Sequence, residues 1–112
     1  MKNKKWVTIL IIITVIVISI LILMDSSEKI DKKTTICIGE NSRLYVQLGC
    51  HACETQEEMF GEHYKFLTTI DCFFERETCG NAGILKTPTW IIQGEIHEGV
   101  QSIEELKELT GC

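Results

Sequence analysis

Arg43-Leu44-Tyr45-Val46-Gln47-Leu48-Gly49-Cys50-His51-Ala52-Cys53 is the stretch on which the reading of the chain turns. Its first six residues form an apolar run rich in β-formers, bounded by Asn41-Ser42 and by Gly49, and this predicts a strand. Directly after it, residues 50–67 carry Met59, Phe60, His63, Tyr64 and Leu67 at helical spacing, against Glu54, Glu57, Glu58, Glu62 and Lys65 on the other face. That periodicity predicts an amphipathic helix from Cys50 to Leu67. A C-x-x-C therefore falls at a strand-to-helix junction, and the junction is more telling than the four letters.

At a helix N-terminus the backbone N–H groups lack intrahelical acceptors, and with the helix dipole they favour a thiolate. Cys50 holds that position. Cys53, one turn on, is placed to attack a mixed disulfide formed by Cys50, so the spacing makes Cys50 the nucleophile and Cys53 the resolving thiol. His51 between them is either a cation that further favours the Cys50 thiolate or an exposed loop histidine. Two other readings compete. Eighteen residues separate Cys53 from Cys72, a spacing compatible with a four-cysteine zinc site, but Cys72 and Cys79 form C-x6-C where zinc ribbons use C-x2-C. A plain staple at Cys50–Cys53 would close too short a loop to remove much entropy from the unfolded chain.

Outward from the motif, 68–72 predicts a second strand, and the glycines at 80 and 83 an irregular or short helical connection. Thr89-Trp90-Ile91-Ile92 predicts a strand, Gln93-Gly94-Glu95 a turn, and Ile96 to Gly99 its antiparallel partner. Ser102 with Glu105 three residues later has capping-box spacing, and Ile103, Leu106 and Leu109 give a last helix one apolar face. The order is β-α-β-(α)-β-β-α. Pro88, the single proline, stands just before the third strand after Thr87; by itself it is compatible with a trans turn or a cis bond.

Trp6 to Met24 is uncharged, 19 residues long, and as a helix would extend roughly 28 Å, close to a bilayer's hydrocarbon thickness. It is longer than a signal-peptide core and ends Leu23-Met24-Asp25-Ser26-Ser27 without a small-x-small site, so an uncleaved anchor is expected, with a cleaved signal as the alternative. Lys2, Lys4 and Lys5 precede the span and point to a cytoplasmic N-terminus. The chain then divides into 1–24, cytoplasmic N-terminus and transmembrane anchor; 25–36, a polar tether without apolar period; and 37–112, the folded domain. Six cysteines, Cys37, Cys50, Cys53, Cys72, Cys79 and Cys112, suit an oxidising extracytoplasmic space. From Asp25 onward 8 Lys and Arg face 16 Asp and Glu, a balance of -8 that argues against a phosphate-backbone ligand; no nucleic acid partner is expected.

With Cys50, Cys53 and Pro88 in place, the chain resembles the thioredoxin superfamily, which has a C-x-x-C at the start of its first core helix and a cis-proline before its third core strand. The stretch 44–111 is similar to the thioredoxin-like domain fused to, or working with, bacterial and archaeal homologues of vitamin K epoxide reductase. The similarity lies in the C-x-x-C with Gln56 and Phe60 downstream, the pair Cys72 and Cys79, Thr87-Pro88-Thr89-Trp90-Ile91-Ile92, and Gly99-Val100-Gln101-Ser102-Ile103-Glu104-Glu105-Leu106.

The resemblance implies an α/β thioredoxin-like fold, a mixed four-stranded sheet flanked by helices, preceded here by one transmembrane helix. It implies a disulfide carrier that is oxidised by a quinone-coupled membrane reductase and acts on secreted or membrane proteins, with Thr87 and Pro88 beside the reactive pair and a structural Cys72–Cys79 disulfide. Gly49 and His51-Ala52 depart from the aromatic-Cys-Pro-His-Cys often found there. The four-helix membrane domain is replaced by one anchor in the bilayer at residues 6–24. No cofactor is expected on this chain, quinone chemistry falling to a membrane partner of the vitamin K epoxide reductase type or another redox protein. In such a core the start of the first strand and the end of the last helix share the pole away from the C-x-x-C, so Cys37 and Cys112 are placed to pair; free or intermolecular thiols are the alternative. A reductase of the same fold and a metal-binding module built on Cys50, Cys53 and His51 are the other functions that the residues allow.

Overall fold

The computed structural model describes residues 2–24 and 30–112. Helix α1, Lys2–Met24, is long and apolar enough to cross a membrane, with a mean hydropathy of 3.3 over its best window and no part of that window buried against the rest of the chain. Residues 25–29 of the stretch read as a tether lie outside the described residues.

From Lys32 that stretch is helix, and the reading as tether needs correction there. Helix α2, Lys32–Glu40, starts on Asp31, whose carboxylate accepts from the Thr34 N–H at 3.4 Å and is held below the usual carboxylate range by that contact. Its inward face is Thr35, Ile38 and Gly39, only one of them a large apolar residue, so no hydrophobic period announces it. Thr35 turns its hydroxyl back onto the Asp31 carbonyl at 3.0 Å, which lets a polar side chain be buried. Gly39 has a different reason: a Cβ there would collide with the Phe66 carbonyl oxygen, so α2 lies close only because that position has no side chain.

The sheet has four strands, β1 (Ser42–Val46), β2 (Thr69–Asp71), β3 (Thr89–Ile92) and β4 (Glu95–Glu98), in the spatial order β2-β1-β3-β4. β1 pairs parallel with β2 and antiparallel with β3, and β3 pairs antiparallel with β4, so the sheet is mixed. Gln93 and Gly94, at φ 52° and 78°, make the two-residue hairpin turn, and Glu95 begins β4 rather than ending the turn. The expected order of strands and helices holds, with α2 added in front. This is a thioredoxin-like fold with one apolar N-terminal helix.

The helix after β1 is shorter than its apolar spacing predicts. α3 runs His51–Phe60, stops at Gly61 with φ 54°, and continues as a 3₁₀ turn over Gly61–Phe66. The interruption allows both Phe60 and Leu67 to reach the core, which also holds Ile30, Ile38, Leu44, Trp90, Ile92 and Leu106. Met59, expected on the inward face, is 37% exposed; the buried place beside Phe60 is taken by Gln56. Short helix α4 (Arg76–Asn81) and final helix α5 (Ile103–Thr110) complete the domain. Ser102 caps α5 by accepting from the Glu105 N–H at 3.2 Å, as its spacing predicts.

Cys37 in α2 is disulfide-linked to Cys112 beyond α5, across 75 positions of sequence, and Cys72 is linked to Cys79, which closes the turn between β2 and α4. Cys37 reaches its partner from a helix, not from the start of the first strand. Replacing both Cys37 and Cys112 with serine is expected to reduce stability by about 4 kcal/mol on the chain-entropy estimate for so long a loop, read as a lower guanidinium midpoint, with disulfide exchange at Cys50 retained.

Candidate functional site

β1 ends at Val46, and the chain turns through Gly49, at φ 84°, with the Cys50 N–H on the Gln47 carbonyl at 3.0 Å. Cys50 is the N-cap of α3 in extended conformation, and its Sγ accepts from the Cys53 N–H at 3.1 Å. The sulfur thus occupies the position that a serine or aspartate oxygen takes in an ordinary cap. Cys50 and Cys53 form a disulfide with their Cα atoms 5.2 Å apart. Cys50 is partly exposed, whereas Cys53 is 6% exposed, so an incoming sulfur meets Cys50 first.

The other wall comes from far along the chain. The Thr87–Pro88 peptide is cis, and the Thr87 carbonyl oxygen lies 3.5 Å from Cys50 Sγ. Two contacts hold this segment: Thr89 donates its hydroxyl to the Lys86 carbonyl at 2.6 Å, and the Gly99 N–H donates to the Pro88 carbonyl at 2.8 Å. Cys50, Cys53, Thr87 and Pro88 therefore come together in one place. His51 does not join them: its side chain is 95% exposed, with Nδ1 3.7 Å from Glu54 Oε2. Cys72, Cys79, Cys37 and Cys112 are engaged in the two other disulfides. Among the described residues no three His, Cys, Asp or Glu side chains converge as metal ligands.

Two residues that sequence reasoning did not assign to the site shape its surroundings. Asp71, at the end of β2, accepts from the N–H groups of Leu48 and Phe73 at 3.3 and 2.8 Å, which joins the turn before Cys50 to the Cys72–Cys79 turn. Gln56, one turn beyond Cys53, bonds across to Trp90 of β3. Gln56 shows in the sequence only as one of the residues shared with the resembled family and as an amide among apolar residues at helical spacing, and Asp71 only as a carboxylate at a strand end.

A cleft of about 260 Å³ opens beside the pair, lined by Leu48, Cys50, Cys53, Glu57, Tyr64 and Asp71 among others. Burial, then the Glu57 and Asp71 carboxylates, push the Tyr64 hydroxyl above its ordinary value. The neutral phenol is thus favoured by folding, a contribution complete below the usual tyrosine value of 10.0 and lost as pH rises through the raised one. Denaturation of wild type and Tyr64→Phe at about pH 9 and about pH 11 checks this: the wild type should lose stability relative to the phenylalanine variant at the higher pH.

No family model matches the chain. It is 35% identical to the thiol-disulfide oxidoreductase LTO1 of Arabidopsis thaliana over an alignment covering 62% of this chain and 21% of that relative. The chain thus spans about a fifth of the length of the relative it matches. Together with the mixed sheet and the Cys50–Cys53 pair at the head of α3, this likeness supports a thioredoxin-like redox domain.

Proposed function

We propose that the chain is a membrane-anchored thiol-disulfide oxidoreductase that passes a disulfide from Cys50–Cys53 to extracytoplasmic proteins. The observation that carries this reading is the Cys53 N–H aimed at Cys50 Sγ at 3.1 Å, at the partly exposed end of α3 and against the cis Thr87–Pro88 segment. A donor placed there stabilises negative charge on Cys50 once the pair is reduced, and so favours the dithiol form and makes the disulfide oxidising.

In the reaction a substrate thiolate attacks Cys50 Sγ, the Cys50–Cys53 bond breaks, and Cys53 leaves as thiolate and takes a proton. A second substrate thiolate then attacks the substrate sulfur of the mixed disulfide and releases Cys50. Two electrons have moved from the substrate thiols into the pair. A membrane partner, by the resemblance a quinone-coupled reductase of the vitamin K epoxide reductase type, would take them up again. Thr87 and Pro88 border the sulfur that reacts. A reductase uses the same groups in reverse; a reduction potential near about -120 mV marks an oxidant and one near about -270 mV a reductant.

Roles within the pair are tested by trapping. Cys53→Ser should accumulate mixed disulfides through Cys50, visible as reducible high-mass adducts on non-reducing gels, because the internal attacker is gone; Cys50→Ser should accumulate few. Equal trapping by both variants would overturn the assignment.

The anchor reading rests on α1 and on Lys2, Lys4 and Lys5 before its apolar run, which favour a domain outside the cytoplasm. After reduction of intact cells, a membrane-impermeant thiol reagent should modify Cys50, and modification only after lysis would refute this orientation.

A further inference from the structure

Gln56 has no exposed surface, yet it is a primary amide in the middle of an apolar face. Burying such a group is unfavourable unless its hydrogen bonds are met. All of them are. Oε1 accepts from Trp90 Nε1 at 3.0 Å and from the Gln101 N–H at 2.8 Å, while Nε2 donates to the Gln101 carbonyl at 3.1 Å and to Met59 Sδ at 3.4 Å. An amide offers two donors and two acceptor positions, and none is left over.

The partners are not scattered. Trp90 stands two residues after Pro88 on β3. Gln101 turns its own amide onto the carbonyls of Glu98 and Gly99 at 3.2 and 3.3 Å, and the Gly99 N–H holds the Pro88 carbonyl at 2.8 Å. From one side chain on α3, a turn below Cys53, two bonded routes thus reach Pro88, one along β3 and one through the residues before α5. An aliphatic residue would fill the same space, but without direction, and α3 could then slide against β3 with little penalty. Directed bonds fix a register where packing alone fixes only a distance.

We propose that Gln56 is a positioning residue for disulfide exchange, setting the register between the helix that carries Cys50 and the Thr87–Pro88 segment that faces it. This rests on the reading of Cys50–Cys53 as an exchanging pair. A polypeptide that brings a sulfur to Cys50 meets Thr87–Pro88 at the same time, whereas a small dithiol needs only the sulfur. Loss of register therefore separates the two kinds of partner.

The test uses the oxidised full-length chain in detergent micelles, reacted with a peptide dithiol or with dithiothreitol, quenched with acid and followed by alkylation and mass. In each turnover two reagent thiols become a disulfide and Cys50 and Cys53 become thiols. Gln56→Leu should slow the peptide reaction by about tenfold and leave the dithiothreitol reaction within about threefold, in line with what small misplacements do to oriented reactions. Leu106→Ala, which truncates a fully buried residue of α5 outside the network, should lower stability with both rates within about twofold.

Equal slowing of both reagents in Gln56→Leu, no slowing of either, or the same selective loss in Leu106→Ala would overturn the proposal. If Gln56→Leu does not fold, Trp90→Phe, which removes the indole donor together with part of the buried ring system, should lower the peptide-to-dithiothreitol rate ratio by about threefold, with Leu106→Ala as the control for lost core volume, and an unchanged ratio overturns it. A wild-type chain that reacts with neither reagent at Cys50 defeats the reading of the site itself; a reactive wild type with an unselective Gln56→Leu defeats only the register.

Discussion

The antiparallel pairing of β1 with β3 is the constraint on which the site depends. Tyr45 lies opposite Thr89 and Leu44 opposite Trp90, so the end of β1 and the start of β3 share one edge of the sheet. β1 leads into the turn that carries Cys50, and Pro88 leads into β3. Thirty-eight positions apart in sequence, these two residues become neighbours because two central strands run in opposite directions. A parallel pairing would put them at opposite edges, and no adjustment of loops would restore the 3.5 Å approach of Cys50 Sγ to the Thr87 carbonyl. The buried Leu44 and Trp90 secure this pairing, each contributing roughly 1.5–3 kcal/mol of hydrophobic stabilisation.

Around that pair the domain relies on polar side chains in places where a larger protein would use more apolar surface. Asp71 holds two loop N–H groups, Asp31 and Ser102 cap helices, and Gln56 spans the gap between α3 and β3. The Gln56 contact satisfies a buried indole donor, whose loss of a partner would cost about 1–3 kcal/mol, while the others hold exposed N–H groups that would otherwise turn to water. The two disulfides outside the reactive pair add covalent limits on the unfolded chain, which matter more when the hydrophobic core is small.

The parts of this arrangement visible in the sequence are those encoded over a few neighbouring residues. The strand-to-helix junction at Cys50 shows in apolar alternation followed by helical spacing, and the hairpin shows in Gln93-Gly94 between two β-rich runs. Helix α2 does not show, because Thr35 and Gly39 are buried for reasons of hydrogen bonding and close approach that no hydropathy pattern records. The stop at Gly61 is hidden by apolar residues that keep helical spacing on both sides of it. Gln56, not Met59, takes the fully buried place on α3 because position 56 is surrounded by an indole N–H and a backbone loop, both contributed from more than thirty positions away. The pairing of Cys50 with Cys53 is legible in their spacing, whereas the place of Thr87 and Pro88 beside them comes only with the family resemblance; the environment of His51, turned toward Glu54, is a matter of side-chain direction that spacing does not fix.

The Cys37–Cys112 link gives the domain a mechanical property. Between those two residues the backbone and one disulfide form a closed covalent ring that contains the whole sheet, α3, α4 and α5. Tension that enters from the N-terminal side at α2 and leaves through a chain bound at Cys50 divides at Cys37 into two arms, one through β1 and one through Cys112 and back across the domain. No free end exists inside the ring from which the fold could be unzipped strand by strand. Under load Cys37 and Cys50 can separate no further than the short backbone arm between them allows, roughly 45 Å when fully drawn out.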